Sequence, residues 1–289
     1  MDLSIVILNY KQKGLLKQCV KGIVAAQPQL KYELIVVDNN SLDDSLAMVD
    51  SMFASQAQVE GIQPKLPLGK PLEIPPIKTI QARENNGFAA GNNLGISQAD
   101  GKYIMILNPD VAIVPSALEK MFLFMENNSA VGMIGPRLIN PDGSTQYSCR
   151  RFPGSLIPLY RRTAFGRLPF AKKVTDNYLM KDFDHEQNKD VDWLFAACLL
   201  IRKSALEKVG LFDERFFMYF EDLDLCRRFW QAGFKVTYFA DVEMVHYHQQ
   251  LSAEKGGVFG VFKKGGRIHL ASGVKYFAKY LGAKPPIKN

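Results

Sequence analysis

The sequence predicts an α/β fold in which a mostly parallel, Rossmann-like sheet is flanked by helices. Uninterrupted apolar runs at residues 3–8, 33–37 and 103–107 have the composition of strands buried on both faces. Between the first two runs, the apolar residues of segment 15–24 recur at helical spacing. This repeated order of strand and helix indicates a parallel sheet with right-handed crossovers.

The composition is that of a globular chain with room for one large domain or two small ones. Its 289 residues are 47% hydrophobic and carry a net charge of +7. The longest apolar run, residues 193–201, is far shorter than the ~20 residues of a membrane-spanning helix, and the N-terminus lacks the features of a signal peptide. The cysteines show no C-x-x-C spacing, which is typical of buried thiols in a reducing compartment and does not suit zinc. We therefore expect a cytoplasmic protein with an anionic partner, such as a nucleotide, a phospholipid surface or nucleic acid.

Polar residues follow the first two predicted strands. Asn9 and Tyr10 come after the first, and Asp38 comes after the second. Ser41 is predicted to cap the N-terminus of the second helix.

A proline-rich stretch at residues 61–76 is predicted to be a surface insertion before a third strand at 77–81. A polar segment then leads into a helix that carries Gly87, Gly91 and Gly95. Glycines four residues apart share one helix face, where they permit either close helix packing or the approach of a ligand. Neither a G-x-G-x-x-G loop nor a Walker loop is present.

The strand at 103–107 ends in Asn108, Pro109 and Asp110. A carboxylate held at a strand end by a proline of fixed φ can bind a hard divalent cation, which in turn binds phosphate oxygens. An ordinary Asn-Pro turn explains the same residues equally well. An amphipathic helix opened by Pro115 and a strand at 131–134 are predicted to follow.

Residues 148–190 interrupt the alternation and are predicted to form an irregular, mobile, basic loop. Basic and aromatic or aliphatic side chains are interleaved in it, and its cations are Arg150, Arg151, Arg161, Arg162, Arg167, Lys172 and Lys173. This composition suits an anionic or lipid-like partner, and it suits a solvated loop without function just as well.

Three carboxylates fall in the first turn of a helix that follows a buried strand at 191–201. They are Glu221, Asp222 and Asp224. Acids at a helix N-terminus complement its dipole, and Asp224 can pair with Arg228 four residues on. Glu221 and Asp222 directly follow an aromatic run, so they would lie at the lip of any pocket that the run lines.

Two strand-like segments, 235–239 and 242–245, precede His246 and His248. Histidines at a strand end are either structural or metal ligands. The tail, residues 251–289, is basic and has apolar residues at helical spacing, so it predicts amphipathic helices that pack on the domain's own core or bind a membrane surface.

Six motifs follow one another along the chain in a specific order: SIVILNY, IVVDNNS, ENNGFAAGNNLGI, ILNPDV, VDWLFAACLLIRKSALEKVGLFDERFFMYFEDLDLCRR and VEMVHYH. In this order they resemble the nucleotide-diphosphosugar glycosyltransferases of family 2, the inverting GT-A group, and within it the rhamnosyltransferase-like branch. The resemblance implies a GT-A domain over residues 1–250, with a nucleotide-binding half at 1–112. An acceptor half with a smaller mixed sheet would occupy 113–250, and the helical tail 251–289.

The resemblance also implies roles for single residues. Those that match the family's nucleotide pocket are Asn9, Tyr10, Asp38, Asn85, Asn93 and Asn108. Asp110 matches the metal-binding carboxylate, and His246, rather than His248, matches the histidine that holds metal or diphosphate. Asp222 matches the catalytic base, with Glu221 and Trp193 beside the acceptor. The chain departs from the family at Asn108, where the metal motif has its first acid, and at Ala196, where many relatives have glycine.

The implied reaction is a metal-assisted single displacement. A sugar, rhamnose among the candidates, would move from a dTDP- or UDP-linked donor to a hydroxyl of an envelope glycan or lipid-linked acceptor. An Mg²⁺ or Mn²⁺ ion would stabilise the leaving group, and Asp222 would accept the hydroxyl proton. No nucleic-acid partner is expected, and peripheral association with the inner face of the cell membrane is. The alternatives are a nucleotidyltransferase that forms sugar nucleotides and a non-catalytic, nucleotide-binding protein of envelope assembly.

Overall fold

The computed structural model describes residues 1–57, 73–162, 164–247 and 264–287. Its strands are β1 Leu3–Asn9, β2 Tyr32–Asp38, β3 Ile77–Gln81, β4 Tyr103–Leu107, β5 Val111–Ala112, β6 Val131–Ile139, β7 Cys149–Arg150, β8 Lys189–Asp190, β9 Trp193–Leu194, β10 Cys198–Arg202 and β11 Lys235–His246. Its α-helices are α1 Lys13–Ala26, α2 Ser45–Ala57, α3 Gly87–Ile96, α4 Ala117–Asn127, α5 Ile157–Arg162, α6 Pro169–Tyr178, α7 Lys203–Val209, α8 Glu221–Gln231 and α9 Lys264–Lys279. A single 3-10 turn, Ala164–Arg167, joins α5 to α6.

One large sheet organises the molecule, with the strand order β3-β2-β1-β4-β10-β6-β11-β5 and β8 added beside β11. The first four strands are parallel to one another, β10 is antiparallel to both of its neighbours, and β6 and β11 are again parallel. The mostly parallel sheet predicted from the sequence is therefore confirmed. A separate small sheet pairs β7 with β9 in antiparallel fashion.

Helices cover both faces of the sheet, which explains why its central strands are apolar without alternation. Ile5 and Ile7 pack in one core cluster with residues of α1 and α4. Val6 and Leu8 pack in the other with residues of α3, α7 and α8. Gly91 and Gly95 of α3 permit this packing, because a Cβ atom at either position would overlap the side chains of Leu8 or Val6.

The second helix begins later than predicted, at Ser45 rather than directly after Ser41. Asn40 and Leu42 both have positive φ angles, of 61° and 59°, so the chain cannot be helical there. The Ser41 hydroxyl donates to the Asp38 carboxylate at 2.5 Å instead of capping the helix. The insertion predicted for 61–76 lies largely outside the described residues.

The predicted continuous strand at 191–201 is wrong, because the chain leaves the ladder after Leu194 and re-enters at Cys198. The first piece, β9, pairs with β7 in the small sheet, whereas the second, β10, lies between β4 and β6. One straight strand cannot serve two sheets. Conversely, segments 235–239 and 242–245 form one strand, β11, which keeps its pairing with β6 through a register shift between Phe239 and Glu243.

The basic segment 148–190 is not irregular. It contains α5, the 3-10 turn and α6 between the short strands β7 and β8. The buried side chains of Ile157, Ala171 and Tyr178 hold these helices to the rest of the fold. Its predicted mobility stays a prediction.

Helix α9 packs on the domain, which is one of the two roles expected for the tail. Tyr276 is buried, and the Ser272 hydroxyl donates to the Met218 carbonyl at 2.9 Å. The Arg227 guanidinium of α8 lies 3.9 Å from the centroid of the Tyr280 ring. None of the helices in the described part of the chain has the length and apolarity to span a membrane.

Candidate active site

The carboxyl ends of β1, β2 and β3 lie side by side, with Asn9, Asp38 and Gln81 in register. The Asp38 carboxylate accepts hydrogen bonds from Asn9 Nδ2 at 2.7 Å, Gln81 Nε2 at 3.0 Å and the Ser41 amide at 2.8 Å. Burial alone raises the pKa of Asp38, but these hydrogen bonds outweigh it and leave the pKa below its ordinary value. The structure thus brings the Asn9 amide together with the buried Asp38 carboxylate, and Tyr10, which follows Asn9 in the chain, is 43% exposed.

Asn85 lies next to this edge and positions the start of α3. Its Oδ1 accepts hydrogen bonds from Asn39 Nδ2 and from the Gly87 amide, both at 3.0 Å. Gly87 has a φ angle of 95°, and the next amide, that of Phe88, donates to the Phe217 carbonyl at 2.7 Å. The N-terminus of α3 is therefore tied to the segment that leads into α8.

Asn93 is also tied to that segment. Its side-chain amide donates to the Phe212 carbonyl and to Glu214, and its Oδ1 accepts the Phe212 amide at 3.0 Å. Asn93 nevertheless lines a cavity of about 560 Å³ between the ends of β2 and β3 and the outer face of α3, together with Asn39, Gln81 and Arg83. Asn39 and Gln81, which line this cavity, are the chain neighbour and the sheet neighbour of Asp38.

Sheet pairing brings Asp110 to His246 although they are 136 residues apart in sequence. Val111 of β5 pairs with His246 at the end of β11, and the Tyr247 amide donates to the Asp110 carbonyl at 2.8 Å. Asp110 Oδ1 consequently lies 3.3 Å from His246 Nε2. Both residues are buried, and no donor among the described residues hydrogen-bonds to Asp110 Oδ1. His248 lies outside the described residues.

Gln146 sets the orientation of the His246 ring. Its Nε2 donates to Asn140 Oδ1 at 2.7 Å and to the His246 carbonyl at 2.9 Å, so its Oε1 is the atom 2.8 Å from His246 Nδ1. An oxygen at that distance requires the proton of a neutral imidazole to sit on Nδ1. The lone pair of Nε2 then points towards Asp110 Oδ1.

Two electron-pair donors 3.3 Å apart in a buried position fit a divalent cation bound between them. Within the described residues, no group of three or more His, Cys, Asp or Glu side chains could hold a metal ion. A cation at this position would therefore complete its coordination with water or with phosphate oxygens of a ligand, as Mg²⁺ commonly does. Asn108 contributes its backbone here, because its amide donates to the Ala197 carbonyl at 2.8 Å.

The break between β9 and β10 connects this site to Asp222. The Ala196 amide stabilises the Asp222 anion, and the Ala197 carbonyl accepts a hydrogen bond from the Asn108 amide. Two consecutive residues of the break thus contact both predicted centres. Just before α8, Tyr219 and Phe220 have φ angles of 69° and 72°, an uncommon conformation that sharply turns the chain into the helix.

Glu221 and Asp222 differ in ionisation. Burial, followed by repulsion from Asp222, raises the pKa of Glu221 well above its ordinary value. Burial raises the pKa of Asp222 less, to about 6, because the amides of Leu223 and Ala196 and the charge of Arg150 stabilise its anion. The negative charge of the pair is therefore favoured on Asp222 over Glu221.

Aromatic side chains and one cation surround this pair. The Arg150 guanidinium lies 4.3 Å from the centroid of the Phe195 ring and 5.4 Å from that of Trp193. Trp193 is buried, and its indole donates to the Arg151 carbonyl at 2.9 Å. Arg150 therefore links Trp193 to Asp222, whereas the sequence had indicated Arg150 only as one cation of a basic loop.

Asp224 faces away from this site into an ionic cluster. Its fully buried carboxylate accepts hydrogen bonds from Arg228 Nε at 2.8 Å, Lys279 Nζ at 2.5 Å and the Tyr280 hydroxyl at 2.8 Å. The predicted pairing with Arg228 is confirmed. The link to α9 had no sequence signal, because its partners lie 55 and 56 residues away.

Comparison with known proteins gives a family match. The family described as Glycosyl transferase family 2 matches residues 4–210. The N-acetylglucosaminyl-diphospho-decaprenol L-rhamnosyltransferase of Mycobacterium tuberculosis is 30% identical over 184 residues, which cover 60% of this chain and 59% of that protein. The rhamnosyltransferase WbbL of Escherichia coli K12 is 27% identical over 205 residues, covering 67% of this chain and 70% of that protein. The chain thus spans about 59% of the length of the mycobacterial relative.

Among solved structures, the mannosyltransferase PcManGT from Pyrobaculum calidifontis, in complex with GDP-Man and Mn²⁺, superposes with a TM-score of 0.60. The sequences are 15% identical, and the match covers 98% of this chain and 66% of that one. At this identity the likeness concerns the fold, and it agrees with the predicted GT-A architecture.

Proposed function

Because the chain belongs to glycosyl transferase family 2, we propose that it is an inverting glycosyltransferase that moves a sugar from a nucleoside diphosphate to an acceptor hydroxyl. The observation that carries the proposal is the contact of residues 196 and 197 with both centres. The Ala196 amide stabilises the Asp222 anion, and the Asn108 amide, two residues before Asp110, donates to the Ala197 carbonyl. A base and a leaving-group site on either side of one backbone segment are what a single displacement requires.

The ionisation of the two neighbouring acids supports Asp222 as the base. Deprotonated Asp222 accepts the proton of the acceptor hydroxyl as the hydroxyl oxygen forms its bond to the anomeric carbon. The bond from that carbon to the diphosphate oxygen breaks, and the nucleoside diphosphate leaves with the electron pair. Glu221, whose pKa is raised further by burial and by repulsion from Asp222, is the weaker candidate for the base. One displacement inverts the anomeric centre and needs no covalent sugar intermediate.

Asp110 and His246 would hold a divalent cation, Mg²⁺ or Mn²⁺, through Oδ1 and Nε2. When bound, such a cation stabilises the negative charge that develops on the departing diphosphate. The residues at the ends of β1 to β3, with Asn85 and Asn108, would contact the nucleotide. The contribution of Asn93 would be to shape the cavity, since its amide is bonded to segment 212–214.

The donor and acceptor follow from the relatives' own activities. Two of them are named as rhamnosyltransferases, one acting on a diphospho-decaprenol-linked sugar. We therefore assign dTDP- or UDP-linked sugar, with rhamnose first, as the donor to test, and a lipid-linked or glycan hydroxyl as the acceptor. A cytoplasmic location stays a prediction.

The test uses the purified full chain with dTDP-, UDP- and GDP-sugars, each with Mn²⁺ or with EDTA. We expect metal-dependent thermal stabilisation by one nucleotide series, and its loss in Asp110→Asn. Asp222→Asn should bind donor normally yet lose ~10²-fold or more in transfer, because a general base acts in the transition state.

Three outcomes would contradict the proposal. Binding without any transfer or hydrolysis of the sugar would indicate a non-catalytic binder. Formation of a sugar nucleotide from a sugar phosphate would indicate a nucleotidyltransferase. Near-normal turnover by Asp222→Asn with an inactive Glu221→Gln would mean that the base is the other carboxylate.

A further inference from the structure

Six large apolar side chains are exposed within 19 consecutive residues of the α5–α6 hairpin. We call this the hairpin surface, and its members, between 41% and 60% exposed, are Leu156, Leu159, Phe165, Leu168, Phe170 and Val174. Phe170 and Val174 share a face of α6 because they are four residues apart, and Tyr160 packs against Phe170 with ring centroids 6.0 Å apart. A dense group of exposed apolar side chains on a protein surface indicates an interaction site.

Cations predominate around this surface, and one of them, Lys172, pairs with Asp176. Residues 143–175 contain no Asp or Glu. The cations Arg161, Arg167, Lys172 and Lys173 are exposed among the apolar side chains. Cations interspersed with exposed Phe and Leu are characteristic of segments that lie in the interface of an anionic bilayer. The core of a protein-protein interface is instead depleted of charged residues.

The hairpin surface is continuous with the acceptor side of the site. Tyr178, at the end of α6, is buried, and the Arg150 guanidinium lies 5.6 Å from its ring centroid. Arg150 in turn packs on Trp193 and stabilises the Asp222 anion. Binding of the hairpin surface to a partner would therefore fix the orientation of the acceptor side relative to that partner.

We propose that the hairpin surface docks on an anionic lipid bilayer and presents the acceptor side of the site to a membrane-linked acceptor. This deepens the proposed function and rests on it for the nature of the acceptor. The docking itself rests on the exposed apolar and basic residues alone.

The experiment is flotation of the full chain with vesicles of phosphatidylcholine alone or mixed with phosphatidylglycerol, at about 0.05 M and about 0.5 M salt. We expect flotation with the anionic vesicles at low salt and its loss at high salt. The double variant Phe165→Ser/Phe170→Ser should weaken binding by at least about tenfold, because each Phe would transfer its ring from water into the interface. Leu123→Ser on α4 is the matched control, since Leu123 is 59% exposed and Phe165 is 60% exposed.

Flotation that is equal on neutral vesicles, or unchanged in the double variant, overturns the proposal. Self-association through these phenylalanines without vesicle binding overturns it in favour of a protein partner. Metal-dependent donor binding by the double variant should match wild type, so failure of docking and failure of the glycosyltransferase proposal are separable.

A second inference concerns Gln146, and a different observation carries it. The amide of Gln146 is oriented by Asn140 and the His246 carbonyl, which leaves Oε1 to accept the proton of His246 Nδ1. We infer that Gln146 is a positioning residue that selects the His246 tautomer able to bind metal through Nε2. Residues that orient ligating histidines in this way typically change metal affinity by ~10- to 100-fold when removed.

The test compares Gln146→Leu, which removes the oxygen acceptor, with Gln146→Glu, which keeps an oxygen acceptor but loses the donations to Asn140 and the His246 carbonyl. We expect Gln146→Leu to weaken Mn²⁺ binding, measured by calorimetry with nucleoside diphosphate present, by ~10-fold or more, and Gln146→Glu to weaken it less. Nitrogen-15 spectra of the histidine ring should show the Nδ1–H tautomer in wild type and its loss in Gln146→Leu. Unchanged Mn²⁺ affinity, or an unchanged tautomer, in folded Gln146→Leu overturns the inference.

Discussion

Replacing Asp224 by Asn should cost stability and leave the chemistry intact. The Asp224 carboxylate is fully buried and contacts Arg228, Lys279 and Tyr280. Removing one partner of a buried ion pair typically costs ~3–5 kcal/mol, because the remaining charge is left desolvated. The side chains of Arg228 and Lys279 are 18% and 21% exposed, so water can reach them in part and the low end applies.

A loss of about 3 kcal/mol should lower the melting temperature by roughly 6–12 °C in a domain of this size. Calorimetric melting of the full chain measures this directly. Asp176→Asn is the control, because Asp176 pairs with Lys172 and Lys181 at the surface, where an ion pair contributes at most about 1 kcal/mol. At temperatures where Asp224→Asn is folded, donor binding and transfer should match wild type. An unchanged melting temperature, or a folded variant without transfer, would refute the division of roles among the three acids of α8.

The remaining predictions concern the base, a glycine and an asparagine. The rate of transfer should rise about tenfold per pH unit below the pKa of Asp222, about 6, and level off above it, because only the anion accepts a proton; a plateau that extends well below that pH would exclude Asp222 as the base. Gly87→Ala should be far more destabilising than Gly143→Ala, although both glycines have positive φ angles. A Cβ atom at Gly87 would overlap the Phe217 carbonyl, whereas a Cβ atom at Gly143 would meet open space. Equal melting temperatures of the two variants would contradict this prediction. Asn93→Ala should lower the melting temperature, with only a small effect on donor affinity, because the Asn93 side chain is bonded to Phe212. A loss of donor affinity in calorimetry without a lower melting temperature would instead support the predicted contact of Asn93 with the nucleotide.

The parallel half of the sheet was predictable because its signals are local. Apolar runs locate β1, β2 and β4, and the polar residues that follow them must lie at one edge of a parallel sheet. Asn9 and Asp38 meet there as expected. The same reasoning predicted Asp110 at the end of β4. It could not predict the distance between Asp110 and His246, because that distance depends on the pairing of β5 with β11.

The antiparallel half was less predictable, because its strands serve two sheets. The continuous apolar run at residues 191–201 indicates that both faces of this segment are buried, but it does not indicate which strands lie next to it. Gln146 and Arg150 act through partners that sequence order does not reveal: Gln146 bonds to His246, which is 100 residues away. Only the folded structure distinguishes Arg150 from the other cations of its segment.

The break between β9 and β10 links the parallel half of the sheet to the antiparallel half. The Ala196 amide stabilises the Asp222 anion and the Ala197 carbonyl accepts the Asn108 amide, so one backbone segment lies against both centres. These two residues form the turn between β9 and β10, and Ala196 is also where the chain departs from the family. Reactions that depend on alignment tolerate displacements of well under 1 Å. A substitution that extended strand pairing through 195–197 should therefore move both centres at once.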